Sequence, residues 1–174
     1  MKKIILAAVA AFVLISVQNS HAQIGLGAGL AYGTEIETIG IQLGGTYLIN
    51  ENFRVAADII YFFPRTEGDS DFKFETKWFE FNANLHYIFF EDESMNAYGL
   101  AGINYTRLSL DSPTINIPGV GPIGGGSFSE SEIGLNLGVG GMIDLDFAWL
   151  YGEVKYNVSD FDQLSIAVGL RFAL

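Results

Sequence analysis

The segment Leu164-Ser165-Ile166-Ala167-Val168-Gly169-Leu170-Arg171-Phe172-Ala173-Leu174 alternates between two kinds of side chain without a break. Every second residue is bulky and apolar, whereas the residues between them are Ser, Ala, Gly and one Arg. A period of two is typical of a β-strand with two different faces. In a transmembrane barrel, bulky groups contact lipid while small or polar groups fill the lumen. The polarity of this segment therefore indicates a membrane-spanning strand.

Other segments alternate in the same sense, and the sequence as a whole predicts eight strands. They are residues 24–33, 38–49, 52–63, 76–90, 95–110, 131–143, 147–158 and 163–174. The strand at 95–110 changes phase. Tyr98 and Leu100 fall in one phase, whereas Ile103 and Tyr105 fall in the other. We therefore expect a β-bulge at residues 101–102.

A soluble, lipocalin-like barrel of eight strands is the structural alternative. Its bulky face would fill the inside, and its face of Gly and Ala would meet water. Gly weakens a strand and adds no solubility at a surface, whereas a narrow lumen needs small residues. The sequence therefore favours an all-β, eight-stranded antiparallel up-and-down transmembrane barrel.

Residues 1–22 have the parts of a secretory signal peptide: Lys2-Lys3, an apolar run over residues 4–17 and the small-x-small sequence Ser20-His21-Ala22. A spanning helix needs about 20 apolar residues, so this shorter run is interpreted as an export signal and not as an anchor. We predict a signal peptide at 1–22 and a barrel domain at 23–174.

The charge and the cysteine content of the chain exclude some classes of function. Without Lys2 and Lys3, the nine basic residues become seven against 20 acidic ones, a net charge of −13. Nucleic-acid binding requires a basic surface and is therefore excluded. The chain has no Cys and hence no disulfide, although export would permit one.

The connections between the strands are predicted to alternate in length. Short acidic turns are expected at 50–51, 91–94 and 144–146. Longer loops are expected on the other side, at 34–37, 64–75, 111–130 and 159–162. All four prolines fall in the two longest loops, so none interrupts a predicted strand. Short turns on one side and longer loops on the other are typical of outer-membrane barrels.

The residues between the lipid-facing positions predict a charged lumen. Its predicted members are Arg54, Asp58, Glu80, Asn84, His86, Glu132, Asn136, Glu153, Lys155 and Arg171. An eight-stranded barrel has room for side chains alone, and buried charges must be paired. We interpret these residues as a structural network that fills the lumen. A path for ions or protons is the alternative.

The sequence contains few residues of the kinds that catalysis or metal binding requires. His86 is the one histidine left after the predicted cleavage, and the chain has no Cys. No His–Ser–Asp set can be placed at a rim, so a lipid-modifying enzyme is a distant alternative. We predict a protein that is not an enzyme, with no cofactor and no resident metal.

The two long loops are the candidate contact surfaces. Loop 111–130 is interpreted either as a flexible tip or as an apolar surface that docks a host or extracellular ligand through Ile115, Ile117, Val120, Ile123 and Phe128. Loop 64–75 contains Glu67, Asp69, Asp71 and Glu75. Its carboxylates would suit Ca²⁺, although a solvated acidic loop is the simpler interpretation.

With its signal peptide, eight alternating segments and asymmetric loops, the chain resembles the small outer-membrane barrels of the OmpA/OmpX and opacity-protein kind. Residues 170–174 resemble their C-terminal assembly signal, except that Leu174 ends the chain where Phe is common. The resemblance implies a monomer in the outer membrane, in contact with its lipid and with the barrel-assembly machinery. It also implies a role in membrane structure or in surface-loop interactions such as adhesion or resistance, with a small channel as the alternative.

Overall fold

The computed structural model describes residues 24–67, 74–117 and 121–174 and is built of β-strands joined in chain order. They are β1 (Ile24–Gly33), β2 (Thr38–Asn50), β3 (Phe53–Glu67), β4 (Phe74–Glu91), β5 (Met95–Ile117), β6 (Gly121–Asp144), β7 (Trp149–Val158) and β8 (Gln163–Ala173). Each strand pairs antiparallel with the next, and β8 pairs with β1. The predicted fold class is therefore confirmed. The described residues contain no helix of the length and apolar character needed to cross a membrane.

The wall of the barrel has an apolar outside and a polar inside. Large apolar side chains such as Leu135 and Val168 are more than half exposed on the outer face. Among the described residues, 17 polar or charged side chains are buried, against 12 apolar ones. The interior is thus more polar than apolar, which is the reverse of a soluble core and suits a wall surrounded by lipid.

The bulge predicted at residues 101–102 is wrong. Pairing between β5 and β6 runs without interruption from Met95 to Ser112. Tyr98 and Leu100 instead point inward and are buried, in the same phase as the buried Asn104. The change in the apolar pattern therefore arises because two large side chains, Tyr98 and Leu100, point into the lumen, and the backbone register does not change.

Glycines on the facing strands make room for such large lumen side chains. A Cβ atom on Gly140 would lie 2.5 Å from Cζ of Tyr98. A Cβ atom on Gly29 would lie 2.5 Å from the hydroxyl oxygen of Tyr151. Non-bonded carbon atoms do not approach this closely, so these lumen positions require glycine for steric reasons.

The predicted limits of the two long loops are also wrong. β3 continues to Glu67 and β4 begins at Phe74, so six of the twelve residues of the predicted loop 64–75 belong to strands, and residues 68–73 lie outside the described residues. β5 and β6 remain paired up to Ile117 and Gly121. The predicted loop 111–130 is therefore largely a β-hairpin that continues both strands. Gly and Pro in this region had indicated a loop, but pairing with a neighbouring strand overrides that local preference.

Three of the four prolines consequently lie within strands, contrary to prediction. Pro64 lies in β3 where the register to β4 shifts between Phe62 and Arg65. Pro113 lies in β5, where the pairing passes from Ser112 to Thr114. Pro122 lies in β6 near the tip of the hairpin. Irregular pairing and strand ends are the places where a missing N–H is tolerated.

The short turns close the opposite end of the barrel. The carboxylate of Asp92 accepts hydrogen bonds from the backbone N–H groups of Ser94 (2.8 Å) and Met95 (2.9 Å). These bonds, that from Ser94 foremost, lower the pKa of Asp92. The side chain thus replaces part of the ladder where β4 turns into β5.

The glycine opposite Tyr98 gives a first testable expectation. Gly140→Ala should lower the urea midpoint of the detergent-solubilised protein and cost about 1–3 kcal/mol, because the new methyl group overlaps a buried ring. Gly152→Ala is the matched control, since a Cβ there meets no atom within 4 Å. Equal midpoints for the two variants would contradict the steric argument.

Candidate functional site

The centre of the lumen is organised by Asp58 on β3. Its Oδ1 atom accepts hydrogen bonds from Gln42 Nε2 (3.1 Å) and Asn82 Nδ2 (3.0 Å). Lys155 Nζ lies 3.9 Å from the same oxygen, and both side chains are buried. Within the described residues this is the one ion pair inside the lumen. Asp58 therefore links β3 to β2, β4 and β7 and supplies the counter-charge to a buried lysine.

Above Asp58, asparagine side chains from four strands form a connected amide cluster. Asn136 donates through Nδ2 to Oδ1 of Asn82 and to Oδ1 of Asn84, both at 2.9 Å. Asn104 donates to the same oxygen of Asn82 at 2.8 Å, and Asn157 donates to Asn104 at 2.9 Å. Amides both donate and accept, so the cluster crosses the lumen without requiring further charge.

The short-turn end of the lumen is filled by aromatic and cationic groups. His86 stacks on Tyr98 with 4.4 Å between ring centres, and the guanidinium of Arg54 lies 4.6 Å from the centre of the Tyr98 ring. Arg54 also donates to His86 Nδ1, and both Arg54 and Arg171 donate to the Met142 sulfur at 3.0 and 3.1 Å. Stacking and hydrogen bonding hold the His86 ring in place.

The loop end of the lumen is closed around Glu80. Oε1 of this buried carboxylate accepts hydrogen bonds from Trp78 Nε1 (3.0 Å) and Gln163 Nε2 (2.9 Å). The Trp78 ring meets Phe161 edge-on at 6.0 Å, and Phe62 is completely buried beside this group. The aromatic rings therefore cover the polar network on the side of the longer loops.

Most predicted lumen residues lie together in this network. Those with buried side chains are Arg54, Asp58, Glu80, Asn84, His86, Asn136, Glu153 and Lys155. Arg171 and Glu132 share the inward phase but are only partly buried, near opposite ends of the barrel. Sequence reasoning missed Tyr98, Tyr151 and Gln163 as members. Tyr151 and Gln163 fall in the inward phase of their strands, so the alternation alone contained that signal.

Little free space remains between these groups. A cavity of about 20 Å³ lies beside Asp58, Glu153 and Arg171, which is room for about one water molecule. Among the described residues, no three His, Cys, Asp or Glu side chains converge in a way that would hold a metal ion. The described lumen is chemically a packed polar core.

A second candidate site is the hairpin formed by β5 and β6 beyond the rest of the wall. Serine hydroxyls connect its strands, with Ser109 and Ser129 Oγ atoms 3.0 Å apart and Tyr105 donating to Ser131 Oγ at 3.0 Å. At its base Lys77 Nζ lies 2.7 Å from the Asp111 carboxylate. These contacts give the hairpin side-chain support in addition to its backbone ladder.

Of the apolar residues predicted to contact a ligand, only Phe128 has a described side chain. Phe128 is 59% exposed. The backbones of Ile115, Ile117 and Ile123 belong to β5 and β6, but their side chains, like all of Val120, lie outside the described residues. Asp69 and Asp71 of the predicted acidic loop also lie outside them, and Glu75 is 3.3 Å from Lys77 Nζ. A solvated acidic loop stays the prediction for this segment, with calcium binding as its alternative.

The sequence matches a family model described as the outer membrane protein beta-barrel domain, over residues 4–172. The chain belongs to this family. Membership of the outer membrane protein beta-barrel family places the chain in the outer membrane, where its apolar belt contacts lipid. No curated protein sequence matches the chain. The signal peptide at 1–22 stays a prediction.

Solved outer-membrane barrels share the fold at low sequence identity. Ail, the attachment invasion locus protein of Yersinia pestis, crystallised with the heparin analogue sucrose octasulfate, is 18% identical with a TM-score of 0.60, over 86% of this chain and 97% of Ail. Neisserial surface protein A is 18% identical with a TM-score of 0.58, over 87% and 94%. A major outer membrane protein of Thermus thermophilus is 13% identical with a TM-score of 0.64, over 87% and 98%.

The central position of Asp58 gives a second testable expectation. Asp58→Ala should destabilise the folded barrel by about 3–5 kcal/mol, because Lys155 is left buried without its carboxylate. Asp58→Ala combined with Lys155→Met should recover part of that loss, as measured from urea midpoints in detergent. Glu51→Ala in an exposed turn is the control and should change stability by less than about 0.5 kcal/mol. Strictly additive effects of the two lumen changes would contradict the pairing.

Proposed function

We propose that this member of the outer membrane protein beta-barrel family is a non-enzymatic surface protein that works through contacts made by its β5–β6 hairpin. The observation that carries the proposal is the length of these strands. β5 and β6 stay paired to Ile117 and Gly121, whereas pairing between β6 and β7 ends at Leu135. Because β5 and β6 stay paired beyond the end of the neighbouring strand β7 on the longer-loop side, this strand pair presents its backbone and side chains to the exterior.

The packed lumen supports a contact function over conduction. Glu80, Asn82 and Asn136 are each completely buried within connected hydrogen bonds. Opening a path would separate several of these bonds and expose Lys155 from its place beside Asp58. A channel for ions or small solutes is therefore the less favoured function.

The environment of His86 supports a structural role over catalysis. Its ring is 1% exposed, stacked on Tyr98 and bound through Nδ1 to Arg54. A general base must reach a substrate proton at hydrogen-bond distance, and the space beside this ring is a cavity of about 20 Å³, which holds about one water molecule. We accordingly propose no reaction at this residue.

The hairpin is acidic, and this charge disfavours a polyanion as its ligand. Asp111, Glu130 and Glu132 lie along β5 and β6 with one cation of these strands, Arg107, and the predicted mature chain carries a net charge of −13. Like charge raises the free energy of a polyanion near such a surface. The sulfated ligand bound by Ail is a property of that protein and is not carried over to this one.

Reconstitution in planar bilayers tests the closed lumen. The full-length protein should give no steady conductance steps, because the lumen is filled by its own side chains. A variant with a shortened β5–β6 hairpin is the control, and it should be equally silent. Reproducible unitary steps from both proteins would favour the channel and contradict the proposal.

Shortening the hairpin tests the contact function. Replacing residues 109–129 with Asn-Gly would join the paired residues Leu108 and Glu130 by a two-residue turn. The variant should still migrate as a folded, heat-sensitive species on SDS gels, since the barrel below is intact. Adherence of cells displaying the protein to host cells or matrix proteins should be lost. Unchanged adherence by the folded variant would contradict the proposal.

A further inference from the structure

A cavity of about 160 Å³ lies at the longer-loop end of the barrel, and we call it the rim cavity. It is bounded by the turn at residues 34–37 and by the ends of β2, β3 and β4. Trp78 lies between this cavity and the lumen, since it lines the cavity and donates through Nε1 to Glu80. Among the described residues, none that lines the cavity belongs to β5 or β6, so the rim cavity is distinct from the hairpin.

An irregularity in β3 directs a cation toward the rim cavity. Phe62 pairs with Trp78 across β3 and β4. Arg65 pairs with Thr76, so β3 has two residues between these pairs where β4 has one. Residues directly opposite each other in a ladder lie on the same face. Arg65 therefore shares the inward face of Trp78, although its odd number would place it outside with Tyr61. Bulges that redirect a side chain are frequent beside functional sites.

Arg65 holds the turn between β1 and β2, which forms one wall of the rim cavity. Its Nη1 atom donates to the carbonyl oxygen of Ile36 (3.2 Å) and to the carboxylate of Glu37 (2.6 Å). At the other end of the turn, the N–H of Thr34 donates to the carbonyl of Leu164 on β8 (3.0 Å). The turn is thus tied to two strands. A wall that is already ordered binds a ligand without the entropic cost of fixing a loop.

The wall of the rim cavity combines apolar surface with hydrogen-bond acceptors. Ile36, Phe63 and Trp78 supply the apolar part. Glu35 supplies a carboxylate, and among the described residues no Lys, Arg or His nitrogen lies within 4 Å of it. The hydroxyl of Thr38 donates its hydrogen to the carbonyl of Phe63 (3.3 Å) and so keeps its lone pairs for another donor.

These features define a ligand by its charge, its donors and its size. Arg65 is paired with Glu37, so the uncompensated charge of the wall is that of Glu35, which favours a cation. An alkylammonium group carries three N–H donors at one end and an apolar stem at the other. A cavity of about 150 Å³ accommodates a molecule of the size of benzene, so a stem of about five carbon atoms fits. A bare metal ion would leave the apolar wall unfilled.

We propose that the rim cavity binds an alkylammonium group, with Glu35 and Thr38 accepting its N–H bonds and the apolar residues of the wall enclosing its stem. A free amine and a lysine side chain of an extracellular protein both carry this group. The inference goes beyond the contact function proposed for the hairpin and does not depend on it.

The test uses the full-length protein in detergent and pentylamine, whose ammonium form predominates at neutral pH. NMR shifts of the backbone amides of residues 34–38 report binding at the cavity itself and not in the micelle. Pentanol is the matched probe, since it has the same stem without the charge. We expect pentylammonium to bind about tenfold more tightly than pentanol. Equal affinity would reduce the site to an apolar pocket and overturn the proposal.

Two variants test the acceptors. Glu35→Gln keeps the shape of an exposed side chain and should weaken pentylammonium binding about tenfold, whereas Glu93→Gln in a short turn at the opposite end should leave it unchanged. Thr38→Val keeps the branched shape and should weaken binding about threefold. Urea midpoints equal to that of the parent protein show that the variants are folded. Unchanged affinity in folded Glu35→Gln, or an equal loss in Glu93→Gln, would overturn recognition by this carboxylate.

A further probe, Nα-acetyl-lysine amide, distinguishes the two sources of the group. Competition between this compound and pentylamine supports the site and identifies a lysine side chain as a ligand that fits. Binding of pentylamine alone supports the site and limits the ligand to a free amine. Amide shifts in residues 34–38 with neither compound would overturn the proposal by showing no binding, if they stay at their ligand-free values.

Discussion

The narrow interior of an eight-stranded wall is the constraint on which the rest of the structure depends. Such a wall has room for side chains and little else, so a long side chain on one strand requires a small residue where it meets a strand nearby. Gly140 lies against Tyr98, and Gly29 lies against Tyr151. The abundance of glycine on the inward phase, which weakens strands elsewhere, is here the condition for closing the barrel around large polar groups.

The same constraint explains the chemistry of the lumen. A filled interior excludes bulk water, so its polar atoms gain from protein partners, although eight buried side-chain atoms among the described residues, Lys155 Nζ included, have no hydrogen-bond partner. Asp58 accepts two amide hydrogen bonds and neutralises Lys155, and the asparagine cluster continues from it toward the loop end. Because amides supply both donors and acceptors, the network extends from strand to strand with few formal charges. Such a network stabilises one arrangement of the wall.

Alternation in the sequence was sufficient to predict the fold and the direction of most side chains. Lumen residues such as Asp58, Glu80 and Lys155 follow from the phase of single strands. Their partners do not, because contacts depend on register between strands that are distant in sequence. The inward position of Tyr98 does not follow from the sequence for this reason: its partner Gly140 is identified only once β5 and β6 are aligned. The hairpin was missed because Gly and Pro are read locally as loop signals, whereas pairing is a property of two segments together.

Basic and acidic residues are distributed unequally between the inside and the outside of the barrel. Arg54, Lys155 and Arg171 are held in the lumen, whereas on the exterior Lys77 is paired with Asp111. Few cations therefore remain to balance the acidic residues that face the medium. A partner that approaches this surface gains from carrying positive charge itself or from hydrogen bonds that do not depend on charge. Three of the basic residues are held in the lumen, so few are available on the exterior. The hairpin is therefore the part of the described chain best suited to selective contact.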